Sequence, residues 1–355
     1  MSRITRWKLV QFLLGAALSP GHQYWTAWSL HACPLLAHPC PFLSLAWLFS
    51  TRGPMINLMN DSMAELRSIV TRAGDRWTET GIPRVAMVHA EACASQVYQP
   101  MLHLVLQGSK TLSIGDQLRR YEAGTYFIVP VDIPATGQIF SGEGGQAYMA
   151  TSLTLEPAII ASISGGAEAA PATWRAACFA PTQASSEMTD AWLRMMRLVD
   201  RPGDREVMAP LIEREILFRA LQGPLGGALR EISQPDGRLF QIRRAIQWIR
   251  ENFSKPFRVE PLAAMADMSV AAFYRHFRSV TAMTPIQYQK RLRLLRARWL
   301  LLFEPRDAAS IAFEVGYESA SQFSREYARL FGLPPSRDAA RFRAGEYADP
   351  ISPAA

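Results

Sequence analysis

The chain has 355 residues, half of them hydrophobic and a fifth charged. That balance excludes a low-complexity polymer and a disordered polyelectrolyte, and the length leaves room for two domains with separate cores. Net charge is +7 but uneven: residues 238–347 hold 19 Lys/Arg against 10 Asp/Glu, an excess of +9, which leaves about −2 elsewhere. A basic excess at one end fits a polyanionic partner for that end, or simply a solvated basic surface. The four cysteines, Cys33, Cys40, Cys93 and Cys178, form no CxxC pair and no compact Cys/His cluster. They indicate neither a disulfide framework nor a zinc site, so reduced thiols in a cytoplasmic protein are expected.

The first 54 residues stand apart. Arg3, Arg6 and Lys8 precede an apolar run over residues 9–18, the pattern of a secretory signal peptide. That run is too short to span a bilayer, which takes about 20 residues. A second apolar patch at 42–49 is shorter still, and the stretch between them is rich in Pro, His and Trp with no clear period. Residues 1–54 are read as a disordered leader that a start at Met55, Met59 or Met63 would omit; a membrane-anchored form is the alternative.

An amphipathic helix is expected over residues 63–73. From 84 to 155 the pattern changes to short apolar runs punctuated by Gly and Pro. Residues 101–107 are nearly continuously apolar, Leu112 and Ile114 alternate onto one face, Gly115-Asp116 is a turn signal, and 126–129 is another apolar run. Closely spaced short strands read as an antiparallel sandwich or barrel. Residues 165–172 read as a loop. Met188, Trp192, Met195 and Val199 then repeat at helical spacing. A helix over 211–221 is expected to start after Pro210 and to end at Gly223, and Ile242, Ile246, Ile249 and Phe253 mark the next.

The strongest pattern is an internal repeat. Residues 262–285 read LAAMADMSVAAFYRHFRSVTAMTP, and residues 311–335 read IAFEVGYESASQFSREYARLFGLPP. Ala263 matches Ala312, while Phe273, Phe277 and Pro285 match Phe323, Tyr327 and Pro335. One extra residue falls near 316–319 in the second copy. Each copy predicts a short helix with a small Ala for close approach, a tight turn, and a second helix with an inward aromatic pair. Ser269 is placed to cap the first of these second helices, and Ser319 with Gln322 has capping-box spacing in the other. Gly332 suits a left-handed helix stop; its counterpart Ala282 bears a steric cost in that conformation. Between the copies, residues 286–303 form a basic helix about 27 Å long at 1.5 Å per residue. Such a connector can hold two recognition helices near the ~34 Å that separates successive major-groove faces.

Residues 262–335 resemble the paired helix-turn-helix domain of the AraC/XylS family of transcriptional regulators. The resemblance rests on Met268-Ser269, the Phe273/Phe277 pair, Thr284-Pro285, Gly316-Tyr317, Ser321-Gln322-Phe323-Ser324-Arg325, and Phe331-Gly332 with Pro335. Residues 98–139, with LVLQGSK and YEAGTYFIVPVDIPATG, are similar to the amino-terminal domain of one AraC-type branch, described as cupin-like. The resemblance implies an α+β chain: a β-rich cupin-like barrel with accessory helices over 63–230, and an all-α domain with two helix-turn-helix units over 238–347. It also implies double-stranded DNA as partner, RNA polymerase as a further one, a small-molecule effector, and a homodimer.

Outward positions on the second helix of each unit are the expected readers. Arg pairs bidentately with guanine and Gln with adenine. Tyr274, Arg275, Ser321, Gln322 and Arg325 are therefore assigned to bases; Ser269, Arg278, Lys290, Ser319, Ser324 and Arg329 are assigned to phosphates. Ala271 and Ala272 share the outward face. The alternative is a cupin-type enzyme with a basic helical tail. A catalytic metal needs several converging His and carboxylate ligands, and the strand region offers only His89 and His103. No catalytic residue, metal or cofactor is assigned, and Cys93 is read as an inert thiol in preference to a sensor.

Overall fold

The computed structural model describes residues 52–74, 77–90, 95–142, 145–165, 179–304 and 306–344, with side chains from Asp61 onward. All four cysteines, residues 1–51 and most of the predicted 165–172 loop lie outside the described residues. The first described helix, α1, spans Arg52–Val70, so it begins well before Met63 and takes in residues 52–54 that had been assigned to the leader. Pro54 is no obstacle there, because the first turn needs no intrahelical donor.

Among the described residues ten strands follow: β1 Thr78–Glu79, β2 Val85–Ala90, β3 Gln96–Tyr98, β4 Met101–Gln107, β5 Ser109–Ile114, β6 Gln117–Glu122, β7 Thr125–Val129, β8 Ile133–Phe140, β9 Tyr148–Thr154 and β10 Thr182–Gln183. They form two antiparallel sheets, ordered β1-β2-β9-β4-β7-β10 and β3-β8-β5-β6. Strand β4 explains its own sequence: Leu102, Leu104 and Leu106 alternate with His103 and Val105, and all five are buried. Helix α1 packs on β4, β9 and β2, so the strand is covered on both sides and its apolar run is continuous. The turn Gly115-Asp116 joins β5 to β6, with Gly115 at positive φ.

Helices α2 (Pro157–Ser164), α3 (Ser186–Arg197), α4 (Arg205–Gln222) and α5 (Gly226–Ser233) follow the sheets. Met188, Trp192 and Met195 form the buried stripe of α3, whose first turn is capped when the Ser185 hydroxyl accepts from the Met188 amide. Helix α4 begins at Arg205, earlier than the proline signal predicts, and Pro210 lies inside it. Its ring replaces the donor of a bond so near the helix start that the neighbouring turns hold the backbone. Glu213 of α4 is buried and paired with Arg84 at the edge of the barrel.

The carboxy-terminal part is all helix: α6 Arg238–Glu251, α7 Val259–Met265, α8 Val270–Thr281, α9 Pro285–Phe303, α10 Ala308–Glu314, α11 Ala320–Phe331 and α12 Pro335–Arg343. The repeat is visible in the lengths, for α7 and α10 have 7 residues each, and α8 and α11 have 12 each. In both copies the next helix, α9 or α12, starts on a proline. The extra residue of the second copy falls in the turn before α11, at Glu318: Gly316 (φ +95°) matches Asp267 (φ 50°), and the Tyr317 amide bonds the Ala312 carbonyl as the Met268 amide bonds that of Ala263. Ala263 and Ala312 are buried, and the Phe273–Phe277 and Phe323–Tyr327 ring pairs have the same 5.5 Å centroid separation.

One continuous hydrophobic core runs from the barrel helices through the first helix-turn-helix unit as far as Leu292. The second unit has its own core, from Leu294 to Ala339. There Asp338, 2% exposed, accepts from Arg298 at 3.0 Å and from the Tyr327 hydroxyl at 2.6 Å, tying α9, α11 and α12 together.

Candidate nucleic-acid interface

Each recognition helix is started by a serine. The Ser269 Oγ accepts from the Ala272 amide and the Ser319 Oγ from the Gln322 amide, each at 3.3 Å. The oxygen is used as the cap, which leaves the hydroxyl hydrogen as a donor. The reciprocal capping box that the Ser319/Gln322 spacing predicts does not form. Gln322 turns its amide forward to Glu326 at 3.2 Å, one helical turn on. A reciprocal box occurs at Thr284/Gln287, at the start of connector α9. Gly332 ends α11 in the left-handed conformation, and Ala282 ends α8 in the same conformation at φ 57° despite its Cβ.

The assigned base readers fall on the outward face. Arg275, Ser321, Gln322 and Arg325 are exposed, and Tyr274 is half-buried with its ring against the core. Arg275 and Arg325 have no partner among the described residues. Of the assigned phosphate contacts, Arg278, Lys290 and Arg329 line one cleft of about 480 Å³ between the two units. Thr284, Gln287 and Arg291 share that cleft, so the connector contributes as much of its wall as the recognition helices do. Ser324 is half-buried on α11 and does not line the cleft.

Two acidic residues not assigned from the sequence organise this surface. Glu326 accepts from Lys290 Nζ at 2.7 Å, from the Tyr317 hydroxyl at 2.9 Å and from Gln322. Partial burial works to raise its pKa, but these three donors outweigh it and hold the carboxyl below its usual range. Glu326 thus fixes an assigned base reader and an assigned phosphate contact through one carboxylate. Asp116, at the tip of the β5–β6 hairpin, pairs with Arg278 at 3.2 Å. A sequence reading can see neither pair, because 36 and 162 residues separate the partners.

The connector's basic residues are mostly engaged. Arg293 donates to the carbonyls of Phe253, Ser254 and Gly316; Arg291 donates to Gly115; Arg298 bonds Asp338 and Ser95; Arg296 lies over the Trp299 ring. Part of the basic excess therefore holds the domain together; Arg275, Arg278, Arg325 and Arg329 of α8 and α11 are exposed, as are Arg244, Lys255, Arg258, Arg296 and Arg337 outside those helices. Barrel and DNA-binding part also meet where Arg250 pairs with Asp132 at 2.6 Å and the Tyr288 hydroxyl donates to the Asp132 carbonyl at 2.7 Å.

Two family models match parts of the chain. The profile described as AraC-type transcriptional regulator N-terminus matches residues 81–228, and the helix-turn-helix domain profile matches residues 262–341. The chain belongs to the AraC family of transcriptional regulators. Among curated relatives of this AraC-family chain, the HTH-type transcriptional activator RhaS of Salmonella schwarzengrund is 28% identical over 144 residues, 40% of this chain. The chain spans about half (51%) of that relative's length. Among solved structures, the DNA-binding domain of AdpA in complex with a target DNA is 32% identical, covering 29% of this chain and 94% of that one, with TM-score 0.28. ToxT of Vibrio cholerae is 11% identical over 72% of this chain and 96% of its own, with TM-score 0.48.

No described helix is long and apolar enough to cross a membrane. Among the described residues no three His, Cys, Asp or Glu side chains gather as metal ligands would.

Proposed function

We propose that this AraC-family chain is a sequence-specific DNA-binding regulator of transcription, without enzymatic activity, whose barrel receives a small-molecule effector. The observation that carries the reading is the duplication itself: two helix-turn-helix units of equal helix lengths, each with a serine-capped second helix. Helix α9, 19 residues and therefore about 28 Å long, separates them. In this reading α8 and α11 enter successive major grooves on one side of the duplex. Arg275, Gln322 and Arg325 read bases, with Tyr274 and Ser321 beside them. Arg278, Lys290 and Arg329 hold the intervening phosphates, while Ser269, Ser319 and Ser324 donate to the backbone at the groove edges.

The protein acts in the cytoplasm on chromosomal DNA, alone or as a homodimer, and contacts RNA polymerase once bound. An effector acts from the barrel, because the barrel touches both the first unit and the connector. In-vitro selection with the full-length chain from a random duplex pool tests the first part. A single enriched site of two half-sites about one helical turn apart is the expected result; a pool that stays random at moderate salt overturns it. A fixed-salt titration with operator and bulk competitor then gives the specificity ratio.

A further inference from the structure

The interior of the barrel holds a lysine that no described residue neutralises. Lys110 on β5 is 3% exposed. Its Nζ faces two rings, at 4.8 Å from the Tyr98 centroid and 5.8 Å from that of Tyr148. Among the described residues it has neither a carboxylate partner nor a hydrogen-bond acceptor. Ring faces recover only part of what an ammonium loses on leaving water, so an ammonium with no counter-ion is a standing cost to the fold.

The second observation is the group beside it. His103 on β4 is fully buried; it shares a hydrogen bond with the Tyr148 hydroxyl at 2.8 Å, and its Nδ1 has no partner. Burial, with the Lys110 charge as a smaller contribution, holds this imidazole neutral. Its plane stacks on Phe127 at 4.7 Å, and Trp77 meets it edge-on at 5.3 Å. Trp77 is half-exposed, so the cluster reaches the surface at that ring. The set therefore brings together, among the described residues, one cation without a counter-ion, one unused polar atom and a surround of aromatic rings. Such convergence in an otherwise apolar interior is how a small-molecule site is built.

We propose that the barrel interior binds a small carboxylate with an apolar body, its carboxylate paired with Lys110 and oriented by the His103–Tyr148 pair. The inference rests on the reading of the barrel as the effector domain and supplies the ligand's chemical class. Neutral sugars or amines fit poorly, since neither would neutralise the ammonium. The apolar body lies against Trp77 and Phe127.

The test uses the full-length chain, thermal melting, and sodium benzoate and sodium hexanoate as probes. Benzamide, hexanamide and inorganic phosphate serve as comparisons at matched ionic strength. At least one carboxylate is expected to raise Tm saturably while its amide does not, and Lys110→Met is expected to weaken that response at least tenfold. Without any ligand, Lys110→Met, close in shape and uncharged, is expected to melt higher than the wild type by a few degrees. A structural lysine would move the melt the other way.

A lower melt for Lys110→Met, an equal carboxylate response in the variant, a response to phosphate alone, or no carboxylate response each overturn the proposal. Selection of a DNA site by the same preparations keeps the two readings apart. Specific DNA binding with no carboxylate response sinks only the ligand class, and a carboxylate response without DNA preference sinks only the regulator.

Discussion

Replacing Gly316 by alanine tests whether the second unit is held by one close backbone contact. Gly316 sits at φ +95°, where an L-residue is strained by about 1–2 kcal/mol. A Cβ there would lie 2.0 Å from the Ser254 carbonyl oxygen and 2.9 Å from the Arg293 Cζ. Ordinary carbon–oxygen contact needs roughly 1 Å more, so the chain at Ser254 must move. Arg293 donates to the carbonyls of Ser254 at 3.2 Å and Gly316 at 2.7 Å, and both bonds suffer when it does. A hydrogen bond from a charged donor contributes about 1.5–3 kcal/mol, so the strain and two such bonds come to about 4–8 kcal/mol.

Gly332 provides the matched comparison. It has a left-handed backbone too, at φ +82°, but a Cβ there meets nothing within 4 Å. Its counterpart Ala282 already carries a methyl in that conformation at φ 57°. Gly332→Ala should therefore cost only the strain, about 1–2 kcal/mol. Urea denaturation of both full-length variants at neutral pH measures the difference. Equal midpoints would refute the account, because the clash and the Arg293 bonds would then contribute nothing.

Arg275→Ala should lower operator affinity about tenfold while changing affinity for random DNA far less, and anisotropy titrations at one salt concentration check this. Asp116→Asn frees Arg278; since the pair is 63% and 65% exposed, DNA affinity should rise no more than about fivefold. The salt slope of binding should steepen by about one, and an unchanged slope would show that Arg278 meets no phosphate. His103 has its pKa lowered by burial and then by Lys110, so the folded state takes up fewer protons than the unfolded one below the ordinary His value. Its stability contribution is thus complete above about pH 6.5 and falls as pH drops, by at most about 1.4 kcal/mol per pH unit. His103→Asn should flatten that part of the stability–pH curve, and an unaltered slope would contradict it.

What could be read from the residues alone follows from how local each cause is. Strand β4 and the α3 stripe were legible because burial on two faces or on one leaves a pattern in consecutive residues. The repeat was legible because equal units need equal small and aromatic residues at the helix crossing, as at Ala263/Ala312 and Phe273/Phe323. The start of α4 was misplaced because Pro210 is a boundary signal only when tertiary packing does not carry the helix past it. The capping box at Thr284/Gln287 carries the same local spacing, with a proline at the first helical position, and forms; the similar spacing at Ser319 failed because Glu326 draws Gln322 away. Glu326 and Asp116 carry no local mark at all, since their roles exist only across the fold. The basic residues of α9 looked like one electrostatic face, yet Arg293 and Arg298 serve carbonyls and a buried carboxylate.

Helix α9 is where regulation, if it passes from barrel to DNA, has a physical path. Its Tyr288 is bonded to the barrel at Asp132, its Arg291 to the hairpin at Gly115, and its Lys290 to Glu326 of the second recognition helix. The same helix sets the spacing of the two units, so displacing it changes the fit to adjacent grooves and not merely one contact. The two units are also unequal. The first shares its core with the barrel, whereas the second has its own. A rearrangement in the barrel therefore strains the first unit directly and reaches the second through α9 and through the 253–254 segment, where Phe253 packs on both cores and Ser254 backs onto Gly316. Contact alone does not establish coupling; a difference in equilibrium between two arrangements does. The hairpin supplies the place to measure it, because Gly115 backs closely onto the Ala282 carbonyl that ends α8. If a barrel ligand alters DNA affinity equally in the wild type and in Asp116→Asn, the signal travels through the α9 core and not through the hairpin tip.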